Sequence, residues 1–218
     1  MSATNRSAVC VAGDFYPTPA WCFRRLIESI PTSRLTQPGN PILEPCVGSG
    51  ALLDCFRAAG FRLSNAHAVD LSADFASDVS VLFPEVKVMK ADAREFTAPS
   101  DPYKFICTNP PFNQAIPIVE NLVRPENLAA DGVAAFLLRL NILEGQSRRA
   151  FFVRHTPDVL VLPNRPGFRR TFGETDATAY AWFTFPGTGR WRIASVSSLD
   201  ERRADHVALW GSLRESPD

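Results

Sequence analysis

Asn109-Pro110-Pro111-Phe112 follows the apolar run Tyr103 to Cys107, which reads as a buried strand. A side-chain amide, two prolines and an aromatic ring thus fall together at a strand's end. Proline lacks an N–H, so the turn offers carbonyl acceptors and few donors. Such a site suits a group that donates two hydrogens, namely an exocyclic amine. The Asn109 side-chain oxygen and the Pro110 carbonyl can take both hydrogens while Phe112 lies flat on an attached ring. The N6 amine of adenine poses this problem: it is a poor nucleophile because its lone pair is delocalised. Acceptors on both hydrogens favour a pyramidal nitrogen and aim the lone pair at an electrophile, which is catalysis by positioning and electrostatics. A strong general base is not required, since a methylated, cationic amine loses its proton readily. The competing reading is a proline turn that packs one Phe on the core.

The other candidate residues fall at neighbouring strand ends. Glu44-Pro45-Cys46-Val47-Gly48-Ser49-Gly50 follows the short strand Ile42 to Glu44. Its glycines let the backbone approach a ligand, and the helix that follows presents an N-terminus suited to a carboxylate or phosphate. Asp70 comes about twenty residues later, the offset of an acid that grips ribose hydroxyls. Asp92 follows the third strand and can accept a hydrogen from a cofactor's adenine amine. The glycine loop is not G-x-G-x-x-G and lacks the Walker Lys-Ser/Thr, which argues against NTP hydrolysis.

These positions require alternating strands and helices. Residues 1–13 read as a loose N-terminal segment. Thr18 and Pro19 predict an N-cap and first turn, with a helix to about Ile30 burying Trp21, Leu26, Ile27 and Ile30. Further helices are expected over Ala51 to Ala59, Ala73 to Leu82 behind a Ser72 cap, Gln114 to Val123 and Gln146 to His155. Strands are expected at His67 to Asp70, Val86 to Met89, Tyr103 to Cys107, Val133 to Leu140, Val159 to Leu162, Ala179 to Phe185 and Trp191 to Val196. The tail from Asp200 carries no clear pattern. The alternation predicts an α/β fold: a mostly parallel central sheet with an antiparallel edge and helices on both faces.

The 218 residues fit a single domain. Twenty-three basic residues balance 23 acidic ones, which excludes a protein that coats nucleic acid by bulk charge. Charge is unevenly placed, however: seven arginines lie between Arg139 and Arg170 against Glu144 and Asp158. Arg suits phosphate contact, though a solvated surface is an equal reading for any one of them. Five scattered cysteines without metal spacing read as reduced thiols of a cytoplasmic protein, and three isolated histidines predict no metal site. No signal peptide is apparent. The most apolar segment, Val133 to Leu143, is broken by Arg139 and Asn141 and is too short for a bilayer, so no membrane partner is expected.

Taken together, these motifs resemble those of the class I S-adenosylmethionine-dependent methyltransferases, and among them the DNA adenine-N6 enzymes. Glu44 to Gly50 is similar to their cofactor loop, Asp70 and Asp92 to the acids after the second and third strands, and Asn109-Pro110-Pro111-Phe112 to the catalytic motif. Asp14-Phe15-Tyr16-Pro17-Thr18-Pro19 resembles the N-terminal motif that closes over the methionine end of the cofactor. Leu138 to Asn141, Gln146 to Arg149 and Thr175 to Trp182 resemble small phage and prophage methyltransferases. Three departures stand out. Cys46-Val47 is an uncommon version of the loop, Phe112 replaces the more frequent Tyr, and no large target-recognition domain is present.

The resemblance implies a Rossmann-like class I methyltransferase fold, S-adenosyl-L-methionine as cofactor and DNA as partner, with RNA possible. It implies cofactor contacts from Tyr16, Thr18, Pro19, Glu44, Pro45, Gly48, Gly50, Asp70, Leu71, Asp92, Ala93 and Asn109. Asn109, Pro110, Pro111 and Phe112 are the catalytic set. Phe112, Arg139, Asn141, Arg148, Arg165, Arg169 and Arg170 are the candidate substrate contacts. Residues 164–175 are the candidate target-recognition loop, in which Phe168 and Phe172 add stacking rings; an ordinary surface loop is the alternative. Two rival functions stay open. One is methylation of RNA or of a protein glutamine amide; the other is a non-catalytic binding protein that kept the fold.

Overall fold

The computed structural model describes residues 16–31, 35–168 and 173–211. Eight strands are present among them: β1 (Ile42–Glu44), β2 (Ala66–Asp70), β3 (Lys87–Lys90), β4 (Tyr103–Thr108), β5 (Leu128–Arg139), β6 (Asp158–Val161), β7 (Tyr180–Phe185) and β8 (Trp191–Ile193). The helices are α1 (Ala20–Ile27), α2 (Ala51–Ala58), α3 (Ala73–Leu82), α4 (Ala115–Leu122), α5 (Gln146–Arg154) and α6 (Leu199–Gly211). The segment 1–13, Asp14 and Phe15 of the N-terminal motif, and Arg169, Arg170 and Phe172 lie outside the described residues.

The strands form one sheet in the order β3-β2-β1-β4-β5-β7-β6-β8. Strands β1 to β5 are parallel, β7 runs antiparallel between β5 and β6, and β8 pairs parallel with β6. This is the mostly parallel sheet with an antiparallel edge that the sequence pattern predicts. Central strands are apolar on both faces because both are covered. Phe105, Cys107, Ala135 and Leu137 point into one cluster with Trp21, Phe23 and Leu26 of α1 and Leu52, Leu53 and Phe56 of α2. Ile106, Phe136 and Leu138, and Tyr103 across a register shift in β4, join Ile118, Val119 and Leu122 of α4 and Phe151 of α5 on the other face.

Most element boundaries agree with the sequence to within a residue or two, but β5 begins at Leu128 rather than Val133, β8 ends at Ile193 rather than Val196, and the first and last helices also differ. Helix α1 ends at Ile27, and its cap is not Thr18: Pro19 is the capping position and makes no side-chain cap bond. The Trp21 N–H is instead satisfied from far along the chain by Asp205 Oδ2, at 2.7 Å. Asp205 belongs to α6, the helix that the tail's sequence does not announce. Helix α6 docks through charge rather than an apolar stripe: Arg24 bonds Glu201 and Asp205, and Arg25 reaches both Glu201 oxygens at 2.8 Å. Asp205→Ala removes the acceptor of an orphan helix N–H and of Arg24 together. The expected loss is about 1–3 kcal/mol of stability, read as a lower urea midpoint; an unchanged midpoint would mean that α6 contributes nothing to α1.

Candidate active site

The strand order reverses between β1 and β4, and in open α/β sheets the crevice beyond the carboxyl ends at such a point is where ligands bind. A cavity of about 320 Å³ opens there, lined by Tyr16–Thr18, Glu44, Cys46–Ser49, Ala51, Leu52, Asp70, Phe75, Asn109–Asn113 and Arg139. Its size lies in the range of small-ligand clefts, about 300–1,000 Å³.

The loop after β1 forms the floor. Gly48 takes a positive φ of 50° and directs its N–H to Asp70 Oδ2 at 2.9 Å. The other Asp70 oxygen accepts from the Ser72 N–H at 2.8 Å. Each carboxylate oxygen keeps a further lone pair for a hydroxyl. Gly50 serves packing rather than ligand approach: its φ is 81°, and a β carbon there would fall 2.5 Å from the Phe83 ring. Glu44 is 2% exposed, and its Oε2 has no hydrogen-bond partner. Burial, and then the nearby Asp70 and Asp54 carboxylates, push the Glu44 carboxyl well above its ordinary value.

The turn after β4 forms the wall opposite. Asn109 Nδ2 donates to the Tyr16 carbonyl at 3.2 Å, and Oδ1 is buried without a partner. A carbonyl only accepts, so this bond settles which end of the amide is which. Thr18, the expected cap, is instead buried against the cavity as part of the same Tyr16–Thr18 strap. Phe112 meets Tyr16 with ring centroids 6.3 Å apart and Tyr180 at 5.5 Å. The Arg139 guanidinium lies 4.2 Å from the Phe112 centroid and is held by Asp176 at 2.8 Å and by the Tyr180 hydroxyl at 3.0 Å. Burial would raise the Asp176 carboxyl, but the Tyr180 hydrogen bond and the Arg139 charge outweigh it and hold the group below its usual range.

The remaining expected residues sit outside the cavity lining. Pro19, Pro45, Leu71 and Ala93 are absent from it, and Leu71 is 65% exposed. Asp92 follows β3 as expected, but Arg94 grips it through Nε and Nη2, at 2.5 Å for the closest contact, and Arg94 also bonds Gln114 Oε1. Hydrogen bonds from Arg94 hold the Asp92 carboxyl below its ordinary value. Asn141 and Arg148 are absent from the lining, and Arg148 donates to the Glu144 and Asn141 carbonyls, which closes the turn after β5. Arg165 is exposed beside a smaller cavity of about 100 Å³ between α1 and α6. Phe168, expected to offer a stacking ring, is 4% exposed and packs edge-on against Tyr16 and Tyr180. Sequence reasoning missed Phe75 and the Asp176–Tyr180 pair. An aromatic in the first turn after Asp70 was a usable signal for the former.

No protein-family model matches the chain, and no curated protein sequence does. Solved structures do. A type I restriction-modification methyltransferase subunit from Streptococcus thermophilus aligns with a TM-score of 0.61 at 16% identity, covering 95% of this chain and 55% of that one. The 23S rRNA methyltransferase ErmE aligns at 0.56 and 15% identity over 93% of this chain and 81% of its own. A dimethyladenosine transferase from Plasmodium falciparum aligns at 0.51 and 14% identity over 78% and 62%. The chain therefore has the Rossmann-like class I methyltransferase fold.

S-adenosylmethionine is the cofactor that this fold implies, and the cavity fits it chemically. A buried carboxyl with a bare oxygen suits an ammonium group, and the braced Asp70 suits a ribose diol. Glu44→Gln tests the first point. A carboxyl whose folded pKa is raised binds its proton more tightly in the native state, so stability falls as pH climbs above the ordinary value of 4.5. The variant is expected to melt higher than the parent at pH 8, to lose the parent's decline between pH 5 and 8, and to bind S-adenosylmethionine more weakly. Parallel melting curves against pH would show that Glu44 is not the group responsible.

Proposed function

We propose that this protein transfers a methyl group from S-adenosylmethionine to the N6 amine of adenine in DNA. The observation that carries the reading is the unpartnered Oδ1 of Asn109, a residue that lines one cavity with Pro110, Glu44, Gly48 and Asp70. When bound, the cofactor supplies an electrophilic methyl on a sulfonium. Glu44 receives its ammonium, the Gly48 turn permits close approach, and Asp70 accepts from the ribose hydroxyls. Asn109 Oδ1 and the Pro110 carbonyl would each accept one amine hydrogen and so orient the nitrogen lone pair for transfer. Phe112 stacks on the base, which has been extruded from its strand. The proton leaves the methylated nitrogen afterwards, so no strong base is assigned.

The aromatic rings of Tyr16 and Phe112 in the cavity lining support a nucleobase rather than a glutamine amide, which has no ring to stack. The unpartnered oxygens of Glu44 and Asn109 support a ligand site over a purely structural fold, because a scaffold gains nothing from leaving them bare. The solved structures of this fold include enzymes whose names specify ribosomal RNA and dimethyladenosine, so RNA is the substrate to test beside DNA.

Incubation with labelled S-adenosylmethionine and separate DNA, RNA and protein pools is expected to label DNA, with the label recovered as N6-methyladenine. Asn109→Ala should cut transfer by about 10²-fold or more, with cofactor affinity nearly unchanged. Full activity in that variant, or label appearing only in RNA or protein, refutes the proposal.

A further inference from the structure

Phe112 is a ring without a hydroxyl, so no hydrogen bond can fix its tilt. Its surroundings supply another restraint. The Arg139 guanidinium covers one face at 4.2 Å, within the distance for cation–π attraction. The guanidinium is itself immobilised: Nε donates to Tyr180 Oη at 3.0 Å and Nη2 to Asp176 Oδ2 at 2.8 Å. Tyr180 closes the triangle by donating to the same Asp176 oxygen at 2.6 Å, and the Thr178 N–H holds the other oxygen at 3.2 Å. Arg139 ends β5 and Tyr180 begins β7, paired residues in adjacent strands. The restraint is thus mounted on the sheet rather than on a loop. Its charge is matched by Asp176, which leaves it poorly suited to gripping phosphate.

We propose that Arg139 is a positioning residue: braced by Asp176 and Tyr180, it pins Phe112 from one face so that the ring's other face is presented at a fixed tilt to the substrate base. The proposal rests on the reading of Phe112 as the stacking wall. In a chain whose catalytic motif ends in Phe, the cation does the work of a missing hydroxyl.

The test uses the full chain with 4-fluorophenylalanine at position 112, in the parent and in Arg139→Met, Arg139→Lys and Asp176→Asn backgrounds. The fluorine resonance is expected to be single and sharp in the parent, shifted and broadened in Arg139→Met, and intermediate in Asp176→Asn. On DNA, Arg139→Met should lower kcat/KM about tenfold while S-adenosylmethionine affinity stays within about twofold. Arg139→Lys should recover part of the loss, since an ammonium still binds a ring face but lacks the fork. An unshifted resonance in Arg139→Met overturns the proposal, as does a kcat/KM loss matched by equal loss of cofactor affinity. If the parent methylates no nucleic acid, the proposed function fails, and the fluorine resonances alone then decide whether Arg139 pins the ring.

Discussion

An amide side chain has two ends that look alike and behave oppositely, and the site depends on which one is tied to the neighbouring strap. The Tyr16 carbonyl makes that choice. It can only accept, so it holds the Asn109 nitrogen and leaves the oxygen bare. The strap Tyr16–Thr18 therefore does more than wall the cavity: its backbone sets the polarity of the opposite wall. A buried oxygen left unpaired costs about 1–3 kcal/mol, and the described residues carry such atoms at Glu44, Thr108 and Asn109. Two of those residues, Glu44 and Asn109, line the cavity, and the apolar clusters on both sheet faces supply the stability that tolerates the cost.

The sheet explains why so few residues suffice. Strands β1 and β4 are neighbours, yet their connections depart in opposite directions, so the loops after them diverge and leave a cleft. Glu44 and Asn109 reach it as continuations of buried strands, and rigid strands hold side chains more closely than loops do. Asp70, one strand over, braces the glycine turn from the side. On the far flank, β5 and β7 carry the Arg139–Tyr180 pair to the rim.

Most of this was legible in the sequence because it depends on local pattern. Short apolar runs bounded by turn residues marked the strands, and Ser72 announced its helix by a cap that the structure contains, accepting from the Phe75 N–H. The strand-end residues Glu44, Gly48, Asp70 and Asn109 could be grouped because a parallel sheet puts all its carboxyl ends on one side. What escaped depends on distant partners. Nothing near Thr18 reveals that Asp205 caps α1. Helix α6 was hidden because it docks by ion pairs with Arg24 and Arg25, which leave no apolar period to read. Gly50 looked like a residue making room for a ligand, and only the fold shows Phe83 against it. The arginine count suggested phosphate contact, and it could not show that one of those arginines, Arg139, is paired with Asp176. Charge totals carry no record of who neutralises whom.

The tie between Trp21 and Asp205 spans 184 positions of chain, and that between Cys22 and Trp182 spans 160. Both fasten the helix that follows the cavity strap. During synthesis from the amino end, residues 16–27 emerge well before either partner exists, so for that interval the first helix lacks its cap and the strap has no firm anchor. Contacts of such long range form late and slowly. The helix that follows the strap holding Asn109 therefore gains both of these long-range partners only after the last strands and helix α6 have been made.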